Sequence, residues 1–181
     1  NGKEKVIISQ ERQVENRIYV HKINNDPNIQ YELNIRSVHE NSLQTARITR
    51  LYITDDDIIY VKMPHCSAKE GQKIHNVNVP LILLFRALGI ETDKQIIDVI
   101  VQNNKSNLSN SMINILSNSI KKLHKDYNIC SQIEALEELC NYVTQYGRPV
   151  TKQHMKKVYL QDILRNYFLP HVGKMFLEKA H

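Results

Sequence analysis

The segment Asn78-Val-Pro-Leu-Ile-Leu-Leu-Phe-Arg-Ala-Leu-Gly-Ile90 is apolar on every side, and it constrains the fold more than any other stretch of the chain. An amphipathic helix can lie on a surface, whereas a helix wetted nowhere has to be surrounded by other elements. The segment reads as a short buried helix. Asn78 can cap it, Pro80 can sit in the first turn where a missing N–H costs nothing, and Gly89 can supply the left-handed residue that ends it. Arg86 breaks the pattern, because a guanidinium placed there must find a carboxylate or several carbonyls, or else snorkel to the surface. Structural roles are therefore expected for Arg86 and Gly89.

What can surround this helix is read from the periodicity on either side. Before it, the apolar residues follow a strand pattern. Val6-Ile7-Ile8 and Ile18-Tyr19-Val20 are short runs, and Tyr31, Leu33 and Ile35 alternate with Glu32, Asn34 and Arg36 as in a half-buried strand. Ile48 to Thr54 and Ile58 to Met63 are rich in β-branched and aromatic residues, and Asp55-Asp56-Asp57 separates them as a hairpin loop would. Pro64 to Val77 has no periodicity and reads as a surface loop.

After Ile90 the period becomes helical. Thr92-x-x-Gln95 and Ser131-x-x-Glu134 are capping boxes. The first opens a helix with Ile96, Ile97, Ile100 and Val101 on one face. A second helix follows with Leu108, Met112, Ile115, Leu116, Ile120 and Leu123. The third buries Ile133, Leu136, Leu139, Cys140 and Val143 and stops at Gly147 before Pro149. The fourth starts near Thr151, buries Leu160, Ile163, Leu164, Tyr167 and Phe168, and halts at Pro170. The expected class is α+β: a small, mainly antiparallel sheet in the N-terminal half packed with a helical array in the C-terminal half.

With 181 residues, 41% of them hydrophobic and 24% charged, the chain has the profile of a folded protein with one main core. A formal charge of +5 favours an acidic partner such as nucleic acid. Cys66, Cys130 and Cys140 form no C-x-x-C pair, and an odd count argues for a reducing compartment rather than a secreted disulfide framework. The first residues carry no signal pattern, and the longest apolar run is far short of a membrane span.

Candidate chemistry is sparse. Consecutive residues of an extended chain point to opposite faces, so Asp55, Asp56 and Asp57 do not converge on one ion and read as a solvated turn. His65, Cys66 and His75 are three zinc-ligand types in one loop, without a fourth at ligand spacing. Five glycines, never at the required spacing, exclude a phosphate-cradling loop, and neither G-x-S-x-G nor H-E-x-x-H occurs. Two lysine clusters, Lys121, Lys122, Lys125 and Lys152, Lys156, Lys157, are candidates for a phosphate-facing surface, with a solubilising helix face as the alternative.

Several segments carry a family resemblance. Asn78 to Gly89 resembles the "(I/V)P-(I/V)-x-(I/L)-(I/L)-F-R-A-L-G" segment of the second-largest, β-like subunit of multisubunit DNA-directed RNA polymerases, in their eukaryotic, archaeal and large-DNA-virus branch. Asn1-Gly-Lys-Glu-Lys-Val-Ile-Ile-Ser-Gln-Glu-Arg12 looks like that family's "N-G-x-E-K-V-(L/I)-I-x-Q-E-R", with Ser9 in place of a commoner alanine. Asp162-Ile-Leu to Phe168-Leu-Pro-His-Val-Gly173 looks like "D-I-L-x-x-x-(F/L)-L-P-H-(I/V)-G". Glu32 to Ser37 is a looser match to "E-I-R-S", and Ile133 to Gly147 a looser one to "A-L-x-Y-I-G". His171 falls in the last strong motif and has three candidate roles: a helix-end cap, a core histidine or a ligand. The first two make it structural.

The resemblance implies that residues 1–15 are the end of a preceding domain, the protrusion, and that residues 16–181 form the lobe. It implies that the assembled enzyme performs DNA-templated RNA synthesis, a nucleotidyl transfer, with no catalytic group and no cofactor in this fragment and with magnesium bound elsewhere in the polymerase. Implied partners are the other subunits, including the largest and a small zinc-containing one, an initiation factor and downstream duplex DNA, without a membrane. The implied location is intracellular, in nucleus or cytoplasm, including a viral setting in host cytoplasm or virion. Rival readings are a free-standing basic nucleic-acid-binding regulator and a small hydrolase.

Overall fold

The computed structural model describes residues 2–39, 45–66, 77–101, 108–145, 148–150 and 152–172. Five strands form one antiparallel sheet in the order β1-β2-β3-β4-β5: β1 (Ile18–Lys22), β2 (Ile29–Ser37), β3 (Arg47–Thr54), β4 (Ile59–Met63) and β5 (Val77–Pro80). The helices follow: α1 (Leu81–Ala87), α2 (Asp93–Val101), α3 (Leu108–Asp126), α4 (Gln132–Tyr142) and α5 (Gln153–Asp162). Thr144–Gln145 and Arg148–Pro149 pair as a two-strand ribbon, β6 and β7, between α4 and α5. The expected α+β class describes this architecture.

Pairing register separates the two faces of the sheet. Residues directly opposite in an antiparallel pair share a face, so Val20, Leu33, Leu51, Val61 and Val79 form one row and Ile18, Ile35 and Thr49 another on the same side. This side packs against the helices. Ile59, Val61, Met63 and Val79 join Ile82, Leu83 and Leu84 of α1, Leu116 and Leu123 of α3, Leu139 of α4 and Leu160 of α5 in one core. The Asp55–Asp57 stretch is a tight turn, with the Asp57 N–H bonded to the Thr54 carbonyl at 3.0 Å and Asp57 at φ 57°.

The central helix is shorter than its apolar segment. Asn78 does not cap it, because Val77–Pro80 pairs with β4 through Tyr60↔Pro80 and Lys62↔Asn78. Pro80 occupies the N-cap position with no side-chain cap bond. It is tolerated there because β5 is an edge strand, where a missing N–H breaks no ladder. The other end follows the sequence. Gly89 (φ 97°) donates to the Arg86 carbonyl at 3.0 Å and Ile90 to the Phe85 carbonyl at 3.1 Å, the paired bonds of a Schellman ending. A Cβ on Gly89 would lie 3.3 Å from Gln132 Nε2 of α4.

Val6, Ile7 and Ile8, a strand-like run with no pairing partner expected within this chain, are 91, 95 and 83% exposed, in a segment without regular structure. Other expectations are corrected. Ser131 forms the full capping box with Glu134, whereas at Thr92 the bond from the Gln95 N–H is the half of the box that forms. Ile133 is 67% exposed instead of buried, since the buried stripe of α4 runs through Ala135, Leu139 and Cys140. This helix ends at Tyr142 rather than Gly147, because Val143 turns extended and Cys66 makes an isolated bridge with it. Gly147 and Thr151 lie outside the described residues. The last helix changes winding: α5 gives way at Ile163–Phe168 to a π-helical turn before Pro170.

Candidate functional site

Arg86 lies on α1 with 2% of its surface exposed. Its guanidinium donates to the Ile129 carbonyl, between α3 and α4, and to one Asp93 carboxylate oxygen at the start of α2. His124, near the end of α3, brings its Nε2 to 3.1 Å from the second Asp93 oxygen and 3.3 Å from Arg86 Nη2. Three helices and a connecting loop therefore converge on one buried cation. Burial alone would raise the Asp93 carboxyl, but the hydrogen bonds from His124 and Arg86, with their charges, outweigh it and hold Asp93 below its ordinary value. The arrangement joins three helices and a loop through charge and hydrogen bonds, so it reads as a polar clamp between helices.

A second polar anchor joins the π-helical turn to the sheet. Thr49 of β3 donates to the Phe168 carbonyl. Ser37, at the end of β2, accepts from the His171 N–H at 3.2 Å and lies 2.7 Å from His171 Nδ1. One hydroxyl thus engages both the backbone N–H and the ring of His171. Burial lowers the His171 pKa. The chain holds His171 against Ser37 of the sheet, while Thr49 takes the Phe168 carbonyl at the helix end. Ser37 and Thr49 are buried polar residues that the strand pattern did not single out, although they are polar at inward positions of β2 and β3.

The lysine clusters occupy different helices. Lys121 and Lys125 are exposed near the end of α3, while Lys122 is engaged with Asp126 at 3.2 Å, a hydrogen bond that raises its pKa. Lys152, Lys156 and Lys157 stand at the start of α5, where Lys156 and Lys157 act electrostatically on Cys140. Lys122 acts instead on Tyr60, so the two groups face different surroundings.

Of the conceivable zinc set, His65 and Cys66 fall among the described residues. His65, at φ 55°, packs its ring edge-on to Tyr167 at 4.4 Å. Cys66 is buried, and burial, with the nearby Cys140, pushes its thiol up to about 12. His75 lies outside the described residues. Among the described residues no three His, Cys, Asp or Glu side chains gather in a metal-holding group. None of the described helices is long and apolar enough to cross a membrane. An apolar cleft of ≈ 980 Å³ runs between the sheet, α1 and α5, lined by Leu51, Val61, Leu84, Phe85, Val158 and Leu164 among others. Its polar lining residues, Gln161, Asp162, Arg165 and Asn166, all come from one stretch of helix.

A sheet closed on one side by helices, a central helix anchored through its arginine, and a terminal turn clamped to the sheet define an α+β domain. Comparison with known proteins identifies it. The family model described as RNA polymerase Rpb2, domain 2, matches residues 14–180, and the chain belongs to this family, the lobe of the second-largest polymerase subunit. It is 30% identical over 177 residues to DNA-directed RNA polymerase II subunit RPB2 of Encephalitozoon cuniculi, covering 96% of this chain and 14% of that protein. It is 29% identical over 173 residues to subunit Rpo2N of Methanocaldococcus jannaschii, covering 96% and 30%. Against RNA polymerase subunit 2 of Acanthamoeba polyphaga mimivirus the identity is 24% over 178 residues, covering 95% and 14%. The chain thus spans between 14% and 30% of these relatives' length.

Proposed function

We propose that this chain acts as the non-catalytic lobe of a DNA-directed RNA polymerase, forming part of the wall of the cleft through which downstream duplex DNA passes and a docking surface for other components of transcription. The family match over residues 14–180 carries this reading, and relatives named as polymerase subunits in a eukaryote, an archaeon and a virus support it. In this role the assembled enzyme synthesises RNA on a DNA template with magnesium held by other parts of the polymerase, and this chain positions rather than reacts. Its partners are the largest subunit, a small zinc-containing subunit and an initiation factor, inside the cell in nucleus or cytoplasm. Residues 1–15 close the preceding protrusion, and the lobe begins at residue 16. Arg86, Gly89 and His171 are structural.

The phosphate-facing groups are Lys121, Lys122, Lys125, Lys152, Lys156 and Lys157. They present charge without a base-reading element, so binding to duplex is weak, non-specific and salt-dependent, with dissociation constants on the order of 10⁻⁴ to 10⁻⁶ M at physiological salt. Titration of labelled duplex DNA at two salt concentrations tests this. Nanomolar, sequence-selective, salt-tolerant binding would favour a free-standing regulator instead.

A further inference from the structure

The side of the sheet turned away from the helices carries an unexpected charge pattern. Its rows, read from the pairing register, are Tyr19, Asn34, Arg50, Lys62 and Asn78, then His21, Glu32, Tyr52 and Tyr60, with Arg36 opposite Ile48 at the far end. His21, Ile48 and Asn78 are exposed, and the others are half-buried. Arg50 of β3 and Lys62 of β4 are direct cross-strand partners. Directly opposed like charges destabilise a sheet. Arg36 stands diagonal to Arg50 on β2, within reach of long side chains. Glu32, at 3.1 Å from Arg50, is the acidic residue in these rows.

Two further atoms on this face lack partners: Arg36 Nε and the Tyr52 hydroxyl are buried without a hydrogen bond among the described residues. A fold selected only for stability would separate Arg50 from Lys62. The two buried donors are enclosed by the chain itself, so it is the cations Arg50 and Lys62, held side by side on one face, that fit a partner bringing negative charge. Among the described residues, Asp56 and Asp126 act electrostatically on Tyr60, at the end of these rows away from Arg36.

We propose that this open sheet face, through Arg36, Arg50 and Lys62, docks an acidic segment of a partner polypeptide. Carboxylates suit the arrangement better than a nucleic-acid strand for two reasons. The Tyr52 and Tyr60 rings are stacked on each other, with centroids 5.9 Å apart, so their facing surfaces are closed to bases. Glu32 also interrupts the basic surface, and a peptide can set an uncharged residue opposite it, whereas a continuous phosphate backbone cannot skip a charge there. The proposal does not use the helix lysines and stands independently of the duplex-DNA role.

The test is fluorescence anisotropy with the 181-residue chain, a labelled oligo-glutamate peptide and a labelled oligo-thymidine of matched charge. The variant Lys62→Gln keeps the Arg50–Glu32 pair, and Arg50→Gln/Lys62→Gln removes both central cations. Lys3→Gln/Lys5→Gln, in the exposed N-terminal segment, is the control for an equal loss of charge. The expected result is peptide binding that weakens at least tenfold in the double variant and less than twofold in the control. Thermal melting of Lys62→Gln should be unchanged or raised, because a like-charge contact has gone. Equal weakening in both double variants, no peptide binding, or tighter binding of oligo-thymidine at the same residues would overturn the proposal. A fall in the melting temperature of Lys62→Gln would do so as well, since it would make Lys62 part of the fold.

Discussion

Arg86 and the lysines of α3 and α5 carry the same formal charge in opposite surroundings. Arg86 is enclosed by α1, α2, α3 and a backbone carbonyl. The lysines stand at the surface, where Lys122 shares its charge with Asp126. A buried cation that has partners ties together the elements that supply them, and removing it leaves a carboxylate and a carbonyl uncompensated. A surface lysine costs the fold almost nothing to keep or to lose, which leaves it free to meet a phosphate. Net charge read from composition cannot tell these situations apart.

The contrast breaks most readily at Arg86. Arg86→Ala should lower stability by about 2–4 kcal/mol through the groups left unpaired, measured by urea denaturation. Unchanged stability with defective transcription in an assembled polymerase would move Arg86 to the functional side. At the end of the same helix, Gly89→Ala should cost about 1–2 kcal/mol, because an alanine is strained at a φ of 97°. A denaturation midpoint equal to that of the parent would show that the helix ending can relax.

The acid limb sharpens the same comparison. Asp93 is held below its ordinary pKa, so the stability it supplies is present above the unfolded value of about 3.9 and is lost as pH falls through the lower folded value. His171, whose pKa burial lowers, favours the folded state above about 6.5 and loses that contribution as pH falls. Unfolding midpoints measured from pH 7 down to 3 should therefore fall in two stages, and Asp93→Asn should flatten the lower one. The smallest effect belongs to the surface. Lys121→Ala/Lys125→Ala should change stability by less than about 0.5 kcal/mol. It should also make the salt dependence of duplex binding shallower, by about 0.9 in log–log slope for each phosphate that the variant no longer neutralises.

Much of the fold was legible locally. The β3–β4 hairpin follows from three aspartates between two β-branched runs, the ending of α1 from Gly89, and the start of α4 from Ser131 and Glu134. These are short-range effects in which a few side chains satisfy nearby backbone groups. The candidate site was legible only as residue types. Arg86 announced that it needed partners but not that Asp93, His124 and Ile129 supply them, since these lie on other elements. Ser37 and His171, separated by 134 positions, gave no joint signal.

The sequence by itself determined the class of fold, the buried character of the central helix and, through its motifs, the family. Periodicity, caps and turn residues are written along the chain and act within a few residues of themselves. The tertiary structure decided where Asn78 goes, because pairing with Lys62 of β4 outweighs its value as a cap. It decided the phase of α4, which turns Ile133 outward and Ala135 inward. It also decided the alignment of Arg50 with Lys62 across the open face of the sheet. Each of these depends on register between segments distant in the chain, and register is set by the packing of the whole core rather than by any one stretch of it.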